Sequence, residues 1–187
     1  MDIYLIRHTK TATQTGLCYG QSDVALAESF QDDMAKLIAK LPPLNSSDKV
    51  YSSPLSRCLL LAQYFSAEVI IDERLLEVNF GDWEGIAFDS IDKDSLRYWT
   101  ENFVTQPPPN GESFSDLCKR VEHFWQELLT QSCERLFVIT HAGVIRALLA
   151  VILQCPPANA FQFKIDYGSV QQLRYSNAYV YIQAING

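Results

Sequence analysis

The sequence has no apolar run approaching the ~20 residues that a membrane-crossing helix needs, and no cluster of lysine and arginine of the kind that grips a phosphate backbone. Lys and Arg number 15 against 22 Asp and Glu, a formal net charge of −7. With that balance neither a membrane nor a nucleic acid is an expected partner. A small anion is not excluded, because screening limits an exposed charge to a reach of ~8 Å at physiological salt, so a few local arginines outweigh the overall acidity at one pocket. The five cysteines, Cys18, Cys58, Cys118, Cys133 and Cys155, are odd in number and widely spaced, with neither a CxxC pair nor a metal-ligand repeat. A reduced, cytoplasmic setting is expected, and the sequence calls for no metal and no cofactor. The N-terminal MDIYLIRHTK meets charge too early, over too short an apolar stretch, to be a secretory leader. Internal repeats and low-complexity segments are missing too. The one loop of unusual composition is QPPPNG at 106–111.

What is present fits one globular domain over 1–187, since 187 residues with 48% hydrophobic content can bury a core of their own. DIYLIR at 2–7 reads as a buried strand whose C-terminal end carries Arg7 and His8, and strand ends of that kind are where α/β chemistry usually sits. Phe30, Met34, Leu37, Ile38 and Leu41 recur at helical spacing over 28–41, and Pro42-Pro43 closes that helix. Strands are expected at 49–52 and 68–71. Between them a helix runs from Pro54 to about Ser66, with Leu55, Leu59, Ala62 and Phe65 inward and Arg57 near its start. Ser113 opens a capping box, and Phe114, Leu117, Val121, Phe124 and Leu128 line one face of a long helix to 129. LFVIT at 136–140 reads as a strand, His141-Ala142-Gly143 as a tight turn and 144–153 as an apolar helix. Alternation returns at 160–165, 169–174 and 179–184, which reads as short strands parted by Tyr167-Gly168 and Ser176-Asn177. Helices and strands alternate early and strands cluster late, so the expected class is α/β: a mostly parallel central sheet with helices on both faces.

Two histidines thus stand at two strand ends, His8 and His141, with Arg7 beside the first and Arg57 within reach of either. A neutral imidazole is a nucleophile near neutral pH and forms a phosphohistidine without a metal. Guanidinium groups keep their charge and match phosphate oxygens with paired hydrogen bonds, as a phosphoryl transition state requires. The amides of Ala142 and Gly143, at a helix N-terminus, offer a further anion site. Strand-end histidines are often ordinary hydrogen-bonded residues, and other candidates here have plain explanations. His123 lies off the apolar stripe of its helix and reads as exposed. Arg146 reads as a structural salt-bridge partner, and Cys18 and Cys58 as packing thiols.

Five motifs together resemble the histidine phosphatase (phosphoglycerate mutase-like) superfamily, in particular its α-ribazole phosphatase branch: IYLIRHT at 3–9, YSSPLSRCLLLA at 51–62, RLLEVNFGDWEG at 74–85, PPPNGESFSDLCKRV at 107–121 and ITHAGVIR at 139–146. The resemblance spans nearly the whole chain and implies a phosphoglycerate mutase-like fold. It makes His8 the nucleophile, Arg7, Arg57 and His141 the other members of the phosphate pocket, and Glu77 the proton donor to the leaving oxygen. An alkoxide leaves poorly unless protonated, so a carboxylic acid near the scissile oxygen is chemically required. Taken alone, Glu77 would pass for an ordinary exposed carboxylate, and Phe80-Gly81 and Trp83-Glu84-Gly85 for turn and packing residues that position it. Departures from the pattern bear on substrate: Thr9 replaces a usual glycine, Lys10 stands where an acidic residue is common, and Gln14 occupies the place of a frequent asparagine. GLCYGQSDVAL at 16–26 resembles the α-ribazole phosphatase branch, which implies a loop bordering the substrate. Gln14, Tyr19, Gly20 and Gln21 are therefore candidate contacts, with Ala142 beside the phosphate.

The implied activity is dephosphorylation of α-ribazole 5′-phosphate, or of adenosylcobalamin 5′-phosphate, in cobalamin nucleotide-loop assembly. Tyr98, Trp99 and Phe103 are candidates for an aromatic wall or lid against a nucleoside-like leaving group, or for plain core packing. The expected partner is a small phosphorylated metabolite, bound by a monomer or a homodimer. Two alternatives stay open: a broad-specificity phosphatase or phosphoglycerate-type mutase, and a non-catalytic phospho-ligand binding module. Mutases of this resemblance carry longer lids, and every proposed catalytic position here is filled by a competent residue.

Overall fold

Alternation along DIYLIR decides the layout. In the computed structural model, which describes residues 1–66 and 68–187, strand β1 (Asp2–Arg7) sends Ile3 and Leu5 into one hydrophobic cluster and Tyr4 and Ile6 into another on the opposite face. β2 (Lys49–Ser52), β3 (Val69–Ile71) and β4 (Arg135–Thr140) run parallel to it, and β5 (Val170–Ser176) and β6 (Tyr179–Ala184) close the other edge antiparallel. The six-stranded order is β3-β2-β4-β1-β5-β6. The expected mostly parallel sheet is the one observed.

Helices cover both faces, as the doubly buried strands require. α1 (Phe30–Ile38) and α2 (Ser56–Phe65) bring Met34, Leu37, Cys58, Leu61 and Ala62 onto Tyr4, Ile6, Phe137 and Ile139. α4 (Phe114–Leu128) and α5 (Ala142–Leu153) cover the other face, with Phe124, Leu128 and Leu148 against Ile3, Leu5 and Val138. The Ser113 cap is present, its hydroxyl accepting the Asp116 N–H. No helix among the described residues is long and apolar enough to cross a membrane.

Several elements differ from expectation. α1 is shorter at both ends, and Ile38 is exposed rather than inward. α2 begins two residues beyond Pro54, so its buried stripe is Arg57, Cys58, Leu61 and Ala62, while Leu59 and Phe65 are only half-buried. The segment 160–165 is not a strand: Pro157–Gln162 is a 3-10 helix, because Pro156-Pro157 fixes φ and lacks N–H donors. The alternating aromatics that mimicked a strand go elsewhere, Phe161 packing on Phe103 and Phe114. Finally, α3 (Lys93–Asn102), capped by Asp92 through the Ser95 N–H, forms where no helix was anticipated.

The four parallel strands all point their C-terminal ends the same way. The segments leaving them carry Arg7 and His8 after β1, Ser53 and Arg57 after β2, Glu77 beyond β3 and His141 after β4.

Candidate active site

β1 and β4 are hydrogen-bonded neighbours in a register that sets Arg7 opposite Thr140. The next residues, His8 and His141, therefore emerge side by side, their rings 5.2 Å apart at 66°. Both are buried. Nδ1 of His8 lies 2.7 Å from the Thr9 carbonyl, which can only accept, so Nδ1 carries the proton and the Nε2 lone pair is left free. Burial, then Arg57, lower the His8 pKa to about 3, against an opposing effect of the Thr9 carbonyl, with Arg7 adding to the lowering. His141 is held well below the usual imidazole range by burial first, and then by His8, Arg57 and Arg7. Arg57 donates from Nε to Nδ1 of His141 at 3.3 Å, so the neutral ring keeps its proton on Nε2, which meets the Ser53 hydroxyl at 2.9 Å. Both imidazoles are neutral at physiological pH, with opposite tautomers.

The arginines beside them are held by backbone carbonyls. Arg57 is fully buried and donates to the carbonyls of Ser22 at 2.8 Å and Gly20 at 2.5 Å. Arg7 donates from Nη1 to the Ile165 carbonyl at 2.7 Å, and its buried Nε has no partner. Among the described residues neither guanidinium has a carboxylate within ion-pairing distance. Burying a charge unpaired costs several kcal/mol, in order of magnitude, so the buried Arg57 with the half-buried Arg7 beside it, in a chain of net charge −7, suits an anion. The Thr9 hydroxyl, also buried and unpartnered, lies in the same turn.

Glu77 stands at the N-terminus of α5. Its Oε2 accepts the Gly143 N–H at 3.1 Å and its Oε1 accepts its own neighbour's, from Val78, at 3.0 Å. The Gly143 amide read above as a site for phosphate is thus occupied by the carboxylate of Glu77. Its backbone carbonyl is gripped by Gln21 Nε2 and Arg120 Nη2, both at 3.0 Å. Arg120 in turn forms a paired ion contact with Glu112. Glu84 accepts from the amides of Gln21, Ser22 and Phe80 and from the Ser22 hydroxyl, fastening the 16–23 loop to the Glu77 loop. Glu84 therefore serves the positioning role expected of its motif.

Beside the carboxylate lies a cavity of about 140 Å³ lined by Phe80, Trp99, Phe103, Phe114 and Phe161, together with Ala142, Arg146 and Glu112. Trp99 and Phe103 line this cavity and also pack into the hydrophobic clusters beneath it, whereas Tyr98 is exposed. The expectation of a salt bridge for Arg146 fails. Its Nε donates to the Phe163 carbonyl at 3.1 Å, its guanidinium lies 5.2 Å from the Phe161 ring, and no carboxylate pairs with it among the described residues. Phe163 and Phe161 belong to the segment that turned out not to be a strand, which is why their position was not legible.

The other candidates divide. Tyr19 faces Arg57, its ring 5.5 Å from the guanidinium carbon, and its hydroxyl meets those of Thr11 and Tyr167. Gly20 and Gln21 lie in the region expected of them, where the Gly20 carbonyl holds Arg57 and the Gln21 side-chain amide holds the Glu77 carbonyl. Gly20 has no room for a side chain, since a Cβ there would fall 1.9 Å from the Val78 carbonyl. Gln14 is exposed, and its backbone carbonyl closes a turn with Leu17. His123 is exposed as expected. Cys18 and Cys58 are buried, and burial pushes both thiols up, that of Cys18 to about 12, so neither offers a thiolate. Ser53 and Tyr167 were missed. Ser53 is the first residue of the Ser-x-x-x-Arg pattern and could have been found there. Tyr167 comes from a distant turn with no motif to announce it.

The model of the histidine phosphatase superfamily (branch 1) matches residues 3–187. The adenosylcobalamin/alpha-ribazole phosphatase of Salmonella typhimurium is 28% identical, over 100% of this chain and 96% of its own. A putative phosphoserine phosphatase 2 of Hydrogenobacter thermophilus is 26% identical over 91% and 88%. Among solved structures, the alpha-ribazole phosphatase from Shigella flexneri superposes with a TM-score of 0.90 at 26% identity, covering 100% of this chain and 96% of that one.

Proposed function

Because the chain belongs to the histidine phosphatase superfamily, branch 1, we propose that it is a phosphomonoesterase that passes through a phosphohistidine on His8 and requires no metal. The observation that carries this is the fully buried guanidinium of Arg57 and the half-buried one of Arg7, both without a carboxylate partner among the described residues, around two neutral histidines. Nε2 of His8 attacks phosphorus in line while the arginines and the Nε2–H of His141 take the equatorial oxygens. Glu77, held by the Gly143 and Val78 amides, gives its proton to the departing alcohol oxygen. Water then attacks the phosphohistidine with Glu77 as base, and the N–P bond breaks to release inorganic phosphate and restore neutral His8. Fixed guanidiniums supply the positive charge that many phosphatases draw from a metal ion.

For the substrate, the α-ribazole 5′-phosphate reading is supported by the aromatic cavity next to Glu77, which suits a flat base attached to the leaving ribose, and by the likeness to the Salmonella and Shigella proteins. A second reading, a phosphorylated hydroxy acid such as phosphoserine, is favoured by one observation: Arg146 lines the same cavity as Glu77 and has no ion-pair partner among the described residues. The decisive measurement is kcat/KM, without added metal and with EDTA present, on α-ribazole 5′-phosphate, phosphoserine, 3-phosphoglycerate and p-nitrophenyl phosphate, with His8→Ala as control. A preference of orders of magnitude for the first compound supports the α-ribazole reading, and a preference for phosphoserine replaces it with the second. Activity abolished by EDTA and restored by Mg²⁺ would overturn the metal-free mechanism.

A further inference from the structure

Arg7 has to present the N–H edge of its guanidinium to a phosphate, yet its own chain gives it little to set that plane. Among the described residues it has no carboxylate partner, and one hydrogen bond, Nη1 to the Ile165 carbonyl, holds one corner. The ring of Tyr167 lies on it, with the guanidinium carbon 3.6 Å from the ring centroid. Stacking of that kind occupies the face of a guanidinium and leaves its N–H edge open, so it fixes the plane without competing for phosphate oxygens. The unpartnered Nε belongs to that open edge.

Tyr167 is itself firmly placed. It precedes Gly168, whose φ of +62° makes the turn and whose N–H donates to the His8 carbonyl at 3.1 Å, while the Arg7 N–H donates to the Ser169 carbonyl at 3.1 Å. The tyrosine is thus anchored to the same two residues it faces, its ring 5.6 Å from that of His8. Its hydroxyl meets that of Tyr19 at 3.0 Å, and Tyr19 faces Arg57. One hydroxyl contact therefore links the aromatic covers of both arginines.

Resting on the phosphatase reading, we propose that Tyr167 is the positioning residue for Arg7: its ring, rather than its hydroxyl, sets the guanidinium plane for phosphate. The test is kcat/KM for p-nitrophenyl phosphate and the Ki of inorganic phosphate in Tyr167→Phe, Tyr167→Leu, Arg7→Ala and the Tyr167→Leu/Arg7→Ala double variant. Phe keeps the stacked face and should stay within about threefold of the parent, whereas Leu should lose on the order of tenfold in kcat/KM and weaken phosphate similarly. In the Arg7→Ala background the Leu substitution should cost nothing further, because there is no plane left to set. Additive losses in the double variant would mean that Tyr167 acts only by supporting the fold, and would overturn the proposal, as would a Leu variant equal to the parent. The parent's own turnover and phosphate affinity test the phosphatase reading separately, and a failure there is seen before any variant is compared.

Discussion

The amide of Gly143 donates to the carboxylate of Glu77 at 3.1 Å, and a Cβ on residue 143 would lie 2.3 Å from Oε1 of that same carboxylate. The group in the way is the movable end of a side chain rather than backbone. A methyl at 143 should therefore be tolerated by the fold while displacing the acid. Gly143→Ala is expected to unfold within about 1 kcal/mol of the parent in urea and to lose on the order of 10²-fold in kcat on alkyl phosphates. Glu77→Gln should reproduce that leaving-group signature: a large loss on phosphates of poor leaving groups and a much smaller one on p-nitrophenyl phosphate, whose leaving group needs little protonation. Equal losses on both substrate types would sink the general-acid assignment.

Acid should weaken the fold through the histidines. The folded His8 is held at about 3, against ~6.5 for a free imidazole. Between those values the unfolded chain binds a proton that the folded chain refuses. Stability is thus fully present above about 6.5 and falls as pH drops towards 3. At pH 5 the His8 share of the loss is about 2 kcal/mol, from ~1.4 kcal/mol per pH unit, and His141 acts in the same direction. The difference in urea unfolding free energy between pH 7 and pH 5 should shrink by up to that amount in His8→Asn. An undiminished difference would show that His8 takes up its proton inside the fold. By the same sign, kcat/KM of the parent should show no acid limb from His8 down to pH 5.

Phosphate should act as the missing counter-ion. Inorganic phosphate at 100 times its Kd should stabilise the parent by about 2.7 kcal/mol, read as a rise in Tm. Arg57→Met should lose this response and on the order of 10³-fold in kcat/KM. A variant stabilised as much as the parent would place the anion elsewhere.

The aromatic cavity separates the two substrate readings. Phe161→Ser should lower kcat/KM on α-ribazole 5′-phosphate on the order of tenfold and leave phosphoserine within a few-fold, since a stacked ring contributes ~1 kcal/mol beyond its buried area. Arg146→Met should do little to the first substrate. A loss confined to phosphoserine, in an enzyme that prefers it, would instead favour the hydroxy-acid reading.

Most of the chemistry was legible because it sits where periodicity is strongest. The runs ending at Arg7-His8 and at His141 are strands buried along their apolar length, and their apolar pattern leaves little choice of structure. Glu77 was a different matter: no local pattern marks it, and only the resemblance of RLLEVNFGDWEG drew it out. The errors have physical causes. Alternating Phe161, Phe163 and Ile165 look like a strand until Pro156-Pro157 is given its weight, and that misreading also hid what Arg146 touches. Helix α3 carries too few apolar side chains to announce itself. The hydrogen bonds of Gln21 to Glu77 and of Gly20 to Arg57 could not be read in advance, because sequence gives no direction to a loop. Tyr167 reaches Arg7 across 159 intervening residues, a distance that no spacing rule spans.

The strand order has a consequence for how the chain reaches this arrangement. β4 lies between β1 and β2, so until it arrives β2 and β3 can pair only with each other and β1 stands apart. The pocket that joins His8 to His141 and Arg57 is therefore created by a single late insertion, which closes long loops at once and makes slow, non-local folding the expectation. During synthesis, a chain that has not yet extended past Gly143 holds half the pocket on each of two unpaired fragments. Recovery of catalysis after dilution from denaturant should consequently trail the collapse of the early helices and report, more sharply than any spectroscopic probe of helix content, the moment when the central strand slots home.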